Sequence, residues 1–176
     1  MKKVMLLTIF AALLMISSAA VAQTATGTLT VTATVNGSIQ LVFNSDAAGL
    51  ALSSGAGTNT ATLAFGNVSA FGAISAGIVR TTTASNFTVS SAVDVLVSKT
   101  NSASANYKLT AQLGSADAVN NWSVGGLAVT SAAATQLTAT GTYGSNANFP
   151  VAITVPFTTA SGTLISNTIN YTATAN

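Results

Sequence analysis

From Gln23 onward, the side chains able to move a proton near neutral pH are three aspartates, Asp46, Asp94 and Asp117, widely separated in the sequence. Lone carboxylates of this kind are usually solvated surface groups, whereas an acid–base pair needs two of them positioned by a supporting shell. The chain contains no histidine and no cysteine. Their lack removes the commonest general base, the commonest metal ligands, the thiol nucleophile and any disulfide. Serine and threonine are abundant, but none sits in a G-x-S-x-G elbow and no base stands ready to activate one. There is no glycine-rich loop of phosphate-cradling pattern and no metal-ligand cluster in the sequence. Most hydrolytic and redox chemistry is thereby excluded, and the expectation is a protein that is not an enzyme, with no catalytic residue, no metal and no cofactor.

Charge is scarce. The 176 residues carry 5 basic and 3 acidic side chains, against roughly a quarter charged in an ordinary globular domain. Lys2 and Lys3 lie at the extreme N-terminus, so the chain from Gln23 sets Arg80, Lys99 and Lys108 against its three aspartates and is formally neutral. No basic stripe is available for phosphates, which argues against a nucleic-acid partner.

Lys2 and Lys3 precede an almost wholly apolar run from Val4 to Ile16, and Ala20-Val21-Ala22 supplies a small-x-small cleavage site. This is the pattern of a secretory signal peptide over residues 1–22. The run falls short of the roughly 20 residues of a spanning helix, so no membrane span is expected after cleavage. The protein is then secreted, reaching the cell surface or the extracellular space by periplasmic transit.

The elements that must position any function read as strands. Leu29, Val31, Ala33 and Val35 alternate with Thr28, Thr30, Thr32 and Thr34, and the phase continues through Ile39, Leu41 and Phe43 after Asn36-Gly37. Period-two alternation places such residues on one face of a strand, and Asn-Gly marks a hairpin or a bulge. Further short strands are predicted at Leu63 and Phe65, at Phe87 and Val89, over Val93 to Val97, and over Tyr107 to Leu113. Trp122 and Val124 then pair in pattern with Leu127 and Val129 across Gly125-Gly126, followed by Leu137 with Ala139. Phe149 to Phe157 alternate strongly, and Ile165, Ile169, Tyr171 and Ala173 follow the break at Ser161-Gly162. Pro150 and Pro156 favour an edge or a bulge, because proline cannot donate to the ladder. Asp46 to Thr60 is Gly-, Ala- and Ser-rich and reads as a long surface loop. Many short strands with regular turn signals predict an all-β fold, an antiparallel β-sandwich or barrel of one domain.

Other patterns have plainer readings. Asn67, Asn86, Asn121 and Asn170 open Asn-x-Ser/Thr triplets, which a chain this rich in those residues contains by chance. Trp122 beside Asn120 and Asn121 suits a sugar platform, but a half-buried core tryptophan is the commoner outcome. The Thr-x-Thr series from Thr24 to Thr34 resembles the hydroxyl row of an ice-binding face, yet threonine also simply fills the polar face of strands.

The order of segments carries a resemblance. Thr30-Val31-Thr32-Ala33-Thr34-Val35 follows the signal peptide, then come Leu63-Ala64-Phe65-Gly66-Asn67-Val68, Val93 to Thr100, and Tyr107-Lys108-Leu109-Thr110-Ala111-Gln112-Leu113-Gly114. Over most of the chain this resembles the spore coat protein U family of secreted proteins, close in architecture to chaperone-usher pilins. That family usually carries a cysteine a few residues after the N-terminal alternating strand and another after the central valine strand; the nearest positions here are Ser38 and Ser98, consistent with a disulfide lost as a unit. The resemblance implies an incomplete immunoglobulin-like sandwich, completed by the N-terminal extension of a neighbouring subunit. Its implied partners are copies of itself in a head-to-tail polymer, with a periplasmic chaperone and an outer-membrane usher.

On that basis residues 23–35 are a donor extension with Leu29, Val31, Ala33 and Val35 as plugs, and residues 36–176 are the sandwich domain. The resemblance also puts the acceptor-groove edge at Ile165, Ile169, Tyr171 and Ala173, with Gly162 and Tyr171 near the places a pilin pattern expects. Between Gln23 and Asp46 there is neither a charge nor a proline, the usual protections of an exposed edge strand. Such a segment is either paired within its own domain or offered to a partner by strand addition, and a head-to-tail contact of that kind yields a filament. The alternative reading is a closed, monomeric secreted sandwich that binds glycans or a surface, with residues 23–35 as its first strand.

Overall fold

The computed structural model of the chain describes residues 26–176, so the signal-peptide reading and Gln23 to Ala25 lie outside the described residues. The chain divides into two units, Met1–Thr34 and Val35–Asn176. In the first, residues 26–34 carry no regular secondary structure and are exposed, with Leu29 at 88% and Val31 at 81%. The strand expected there does not form, since among the described residues no strand pairs with it. Asn36-Gly37 is likewise neither hairpin nor bulge, and regular structure begins at Ser38.

The second unit is all-β and antiparallel. Its strands are β1 (Ser38–Ser45), β2 (Val79–Thr82), β3 (Asn86–Thr100), β4 (Tyr107–Leu113), β5 (Asn121–Val124), β6 (Leu127–Val129), β7 (Thr135–Gly141), β8 (Asn146–Pro156) and β9 (Ile169–Ala175). One sheet runs β1-β3-β8-β5-β6, with β2 beside the first half of β3, and the other runs β7-β4-β9. The two sheets pack face to face as a sandwich. Val89, Val93, Val124, Val151 and Ile153 from the larger sheet share a core with Ala111 and Leu113 from the smaller, and Val95 and Val97 meet Tyr107 and Leu109 in a second cluster.

β3 is one strand of 15 residues where the sequence suggests two. The apolar phase runs unbroken from Phe87 to Val97 except at Ser91, a hydroxyl in a buried position. Its cost is offset because Ser91 Oγ accepts the Leu50 N–H at 2.7 Å. β8 is central rather than an edge, despite its two prolines. β5 covers it only from Val151 to Thr154, and Pro150 and Pro156 flank that window. The Gly125 N–H donates to the Pro150 carbonyl at 2.8 Å, so residue 150 turns its backbone toward the β5 side, and residue 156, six positions on, does the same. The missing N–H groups therefore face a side with no strand to bond, and the β3 ladder is intact.

Leu63 and Phe65 form no strand. They belong to the long β1–β2 connection, residues 46–78, in which isolated bridges join Thr58 to Phe43 and Thr62 to Ser54. This stretch is more than a surface loop: Leu50, Leu52, Leu63, Phe65 and Val68 pack on the core, and Ile78 is buried.

The second cluster closes tightly around Tyr107. Any Cβ at Gly141 would collide with the Tyr107 ring, and the Tyr107 hydroxyl is buried without a hydrogen-bond partner among the described residues. Burial, with Tyr143 5.3 Å away between centroids, pushes that phenol up from its ordinary range. Gly141→Ala should therefore destabilise the fold by about 1–3 kcal/mol through overpacking. Tyr107→Phe, which removes an unpartnered buried hydroxyl, should leave stability unchanged or raised. Thermal melts of the two variants beside the parent check both.

Candidate functional site

The distinctive place on this body is the gap between β1 and β9, the two sheet edges that face one another. Among the described residues β9 pairs only with β4. The Gly114 N–H donates to the Thr168 carbonyl at 2.7 Å and the Asn176 N–H to the Asn106 carbonyl at 2.9 Å, bracketing that ladder. Antiparallel bonding alternates along a strand. Even-numbered residues of β9 thus bond β4, while Ile169, Tyr171 and Ala173 turn their N–H and C=O outward. Their side chains lie opposite Leu113, Ala111 and Leu109, all buried, so the same residues point into the core.

β1 mirrors this arrangement. Phe43 exchanges backbone bonds with the β1–β2 connection, its N–H donating to Thr58 O at 2.9 Å and its carbonyl accepting from Gly57 N–H at 2.7 Å. Ile39 and Leu41, in phase with Phe43, turn their backbone groups the same way and have no partner there among the described residues. Between the edges lies an open groove of about 550 Å³, lined by Ile39, Gln40 and Leu41, by Gly57 to Asn59, and by Tyr171. Tyr171, which lines it, meets Phe43 edge to face, with ring centroids 5.1 Å apart. Burial pushes the Tyr171 phenol far above its ordinary range, so it stays neutral at any physiological pH. Two edges with outward backbone groups and half-buried apolar side chains thus flank one groove, the requirements for taking up an extended segment.

Of the expected acceptor residues, Ile169, Tyr171 and Ala173 share this lip. Ile165 does not: it lies in the β8–β9 connection, four residues before β9 begins, and packs on the main core instead. Ile39, Leu41 and Phe43, the opposite lip, read in sequence only as a continuation of the donor phase. The expected donor side chains remain free, with Leu29, Val31, Ala33 and Val35 all exposed. Ser38 stands opposite Thr100 and Ser98 opposite Gln40, so these two serines are diagonal neighbours on adjacent strands.

Other candidates resolve differently. Thr26 to Thr34 form no strand, hence no flat hydroxyl row. Asp46 and Asp94 are not isolated: Asn148 Nδ2 donates to Asp46 Oδ2 at 2.8 Å and to Asp94 Oδ1 at 3.1 Å, while Asn146 Nδ2 reaches Asp94 Oδ2 at 3.1 Å. They fall within one amide network because β1, β3 and β8 are neighbours. Trp122 is 7% exposed and its indole N–H donates to Asp117 Oδ2 at 2.8 Å, so the ring is core and offers no sugar platform. Among the described residues no group of three acidic, histidine or cysteine side chains is placed to hold a metal, and no helix is long and apolar enough to cross a membrane. Set against family models, curated proteins and solved structures, the chain finds no match in any of the three.

Asp117 has a pH signature. Burial alone would raise its pKa, but the Asn120 N–H, the Trp122 indole, the Asn120 amide and the Val119 N–H all donate to it and hold it at about 2. The folded value lies below the roughly 3.9 of an unfolded aspartate. Its contribution to stability is therefore complete above about pH 4 and is lost as pH falls toward 2. Trp122 fluorescence should report unfolding that becomes easier across that window. In Asp117→Asn the same window should flatten, at lower stability throughout.

Proposed function

We propose that this chain is a secreted structural subunit, not an enzyme, that polymerises by donor-strand exchange into a surface fibre, pilus or coat. The groove between β1 and β9 is filled by the Leu29 to Val35 segment of another copy. The observation that carries the reading is the coincidence of an unpaired, apolar alternating segment with a groove whose two lips both turn backbone groups outward. Their lengths agree: Leu29 to Val35 is seven residues and β9 is seven residues, about 23 Å each at the rise of a strand. An incomplete immunoglobulin-like sandwich of the spore coat protein U or pilin type is the architecture this mechanism would use.

The direction of the donor follows from the lips. β1 and β9 run oppositely, since Ser38 starts β1 at the end where Ala175 closes β9, both beside the β3–β4 turn. A strand between them is antiparallel to one and parallel to the other. β9 offers its whole length, whereas Phe43 of β1 is already bonded to Gly57 and Thr58. Antiparallel pairing is the stronger, so the donor runs antiparallel to β9. Val35 then lies beside Ile169, Ala33 beside Tyr171, Val31 beside Ala173 and Leu29 beside Ala175. This register sets the smallest plug against the largest groove residue.

Protein starting at Gln23 should give a heat-sensitive ladder on an unboiled SDS gel and fibres in negative stain, whereas protein starting at Asn36 should give neither. A monodisperse monomer from the first, with the second unfolded, would instead make residues 23–35 an internal strand and overturn the reading. Changing Leu29, Val31 and Val35 together to Asn should abolish the ladder while leaving a domain that folds when a synthetic peptide of residues 26–36 is supplied. Persistent fibres from the triple variant would sink the donor assignment.

A further inference from the structure

A donor strand holds two copies only as firmly as the chain joining plug to body. Here Asn36 and Gly37 alone separate Val35 from Ser38, the first laddered residue of β1. Gly37 already belongs to the body, because a Cβ on it would come 2.6 Å from the Asn101 carbonyl oxygen of the β3–β4 turn. Asn36 is thus the residue between Val35 and the first close contact of the body. Val35 and Ser38 of the donor copy are three residues apart, about 10 Å at full extension.

Such a tether cannot keep the two bodies apart. Val35 lies beside Ile169 of the acceptor, at the end where β4 finishes and β9 begins, and the donor's own body starts at its opposite end. Resting on the strand-exchange reading, we infer that these two ends form a stiff head-to-tail interface between copies of this chain. The acceptor face is the β4–β5 and β8–β9 connections, and the donor face is the β3–β4 turn with the C-terminus.

Both faces are suited to contact. On the acceptor, Asn167 ties the two connections together: its Oδ1 accepts from the Ser115 hydroxyl at 3.2 Å and its Nδ2 donates to the Ser115 carbonyl at 3.0 Å. That tie presents Val119 and Leu164, 56% and 88% exposed, on a braced surface. The donor face is braced as well, by Tyr143 Oη donating to Asn106 O at 3.1 Å and by Asn176 Nδ2 donating to Ala139 O at 2.6 Å. Lys99 and Lys108 lie at the donor end, near the termini of β3 and β4, while the acceptor end carries Asp117 in the β4–β5 connection and Arg80 in β2.

The test uses fibres of the full chain expressed with residues 1–22 in place. One variant inserts Gly-Ser-Gly-Ser after Asn36, lengthening the joint without touching plug or body, and a second carries Val119→Asn with Leu164→Asn. Both should keep the heat-sensitive ladder, and both should lose fibre persistence length several-fold in negative stain, because a flexible linker decouples the bodies. A parent that gives the ladder while neither variant loosens the fibre overturns the interface and leaves strand exchange standing. Loosening by the insertion alone overturns the assignment of Val119 and Leu164 to the contact. A parent without a ladder overturns the strand-exchange reading, and this inference with it.

Discussion

An unpaired strand edge offers its backbone N–H and C=O groups to a further strand, and among the described residues two such edges, β1 and β9, face one another. Ile39 and Leu41 on β1, and Ile169, Tyr171 and Ala173 on β9, turn their backbone groups outward, and Ile39, Leu41 and Tyr171 line the groove between the two edges. A closed sandwich would bring a further strand of its own chain to this position. Among the described residues none does so, and residues 26–37 stay outside any sheet. In the proposed exchange between copies, the same hydrogen bonds and apolar contacts would come from another molecule.

The rest of the body is arranged around unequal sheets. β3 and β8 are much longer than β4 and β9, so the smaller sheet covers only part of the larger one. The remainder is covered by the β1–β2 connection, whose Leu50, Leu52, Leu63 and Phe65 stand in for a missing strand pair. With little charge to work with, polar surface groups satisfy one another. The amide bridge of Asn146 and Asn148 to Asp94 and Asp46, and the capture of Asp117 by Trp122 and Asn120, hold nearly all the negative charge of the folded unit in fixed positions.

Alternation made most of the fold legible in the sequence. Tyr107 to Leu113 reads as β4 and is β4, and the glycine pair between Trp122 and Val129 marks a real hairpin. Reading failed where one residue interrupted a phase or where tertiary pairing overruled a local rule. Ser91 split β3 in pattern because nothing in the sequence announces the Leu50 N–H that satisfies it. The prolines of β8 mark only the limits of β5, a matter of where a neighbouring strand stops. Half of the candidate site was legible, since Ile169, Tyr171 and Ala173 share a phase near the C-terminus. The β1 lip was hidden because Ile39 to Phe43 continue the rhythm of Leu29 to Val35 without a break, and only strand pairing separates the two.

The most direct measurement of the central claim uses the chain's lack of cysteine as a clean background. Val31→Cys and Ala173→Cys are introduced together, and the purified protein is oxidised and run on a denaturing, non-reducing gel. A donor antiparallel to β9 in another copy predicts covalent multimers that collapse to monomer on reduction, with neither single variant exceeding a dimer. Oxidised protein that stays entirely monomeric, or forms its disulfide within one chain, would contradict the account.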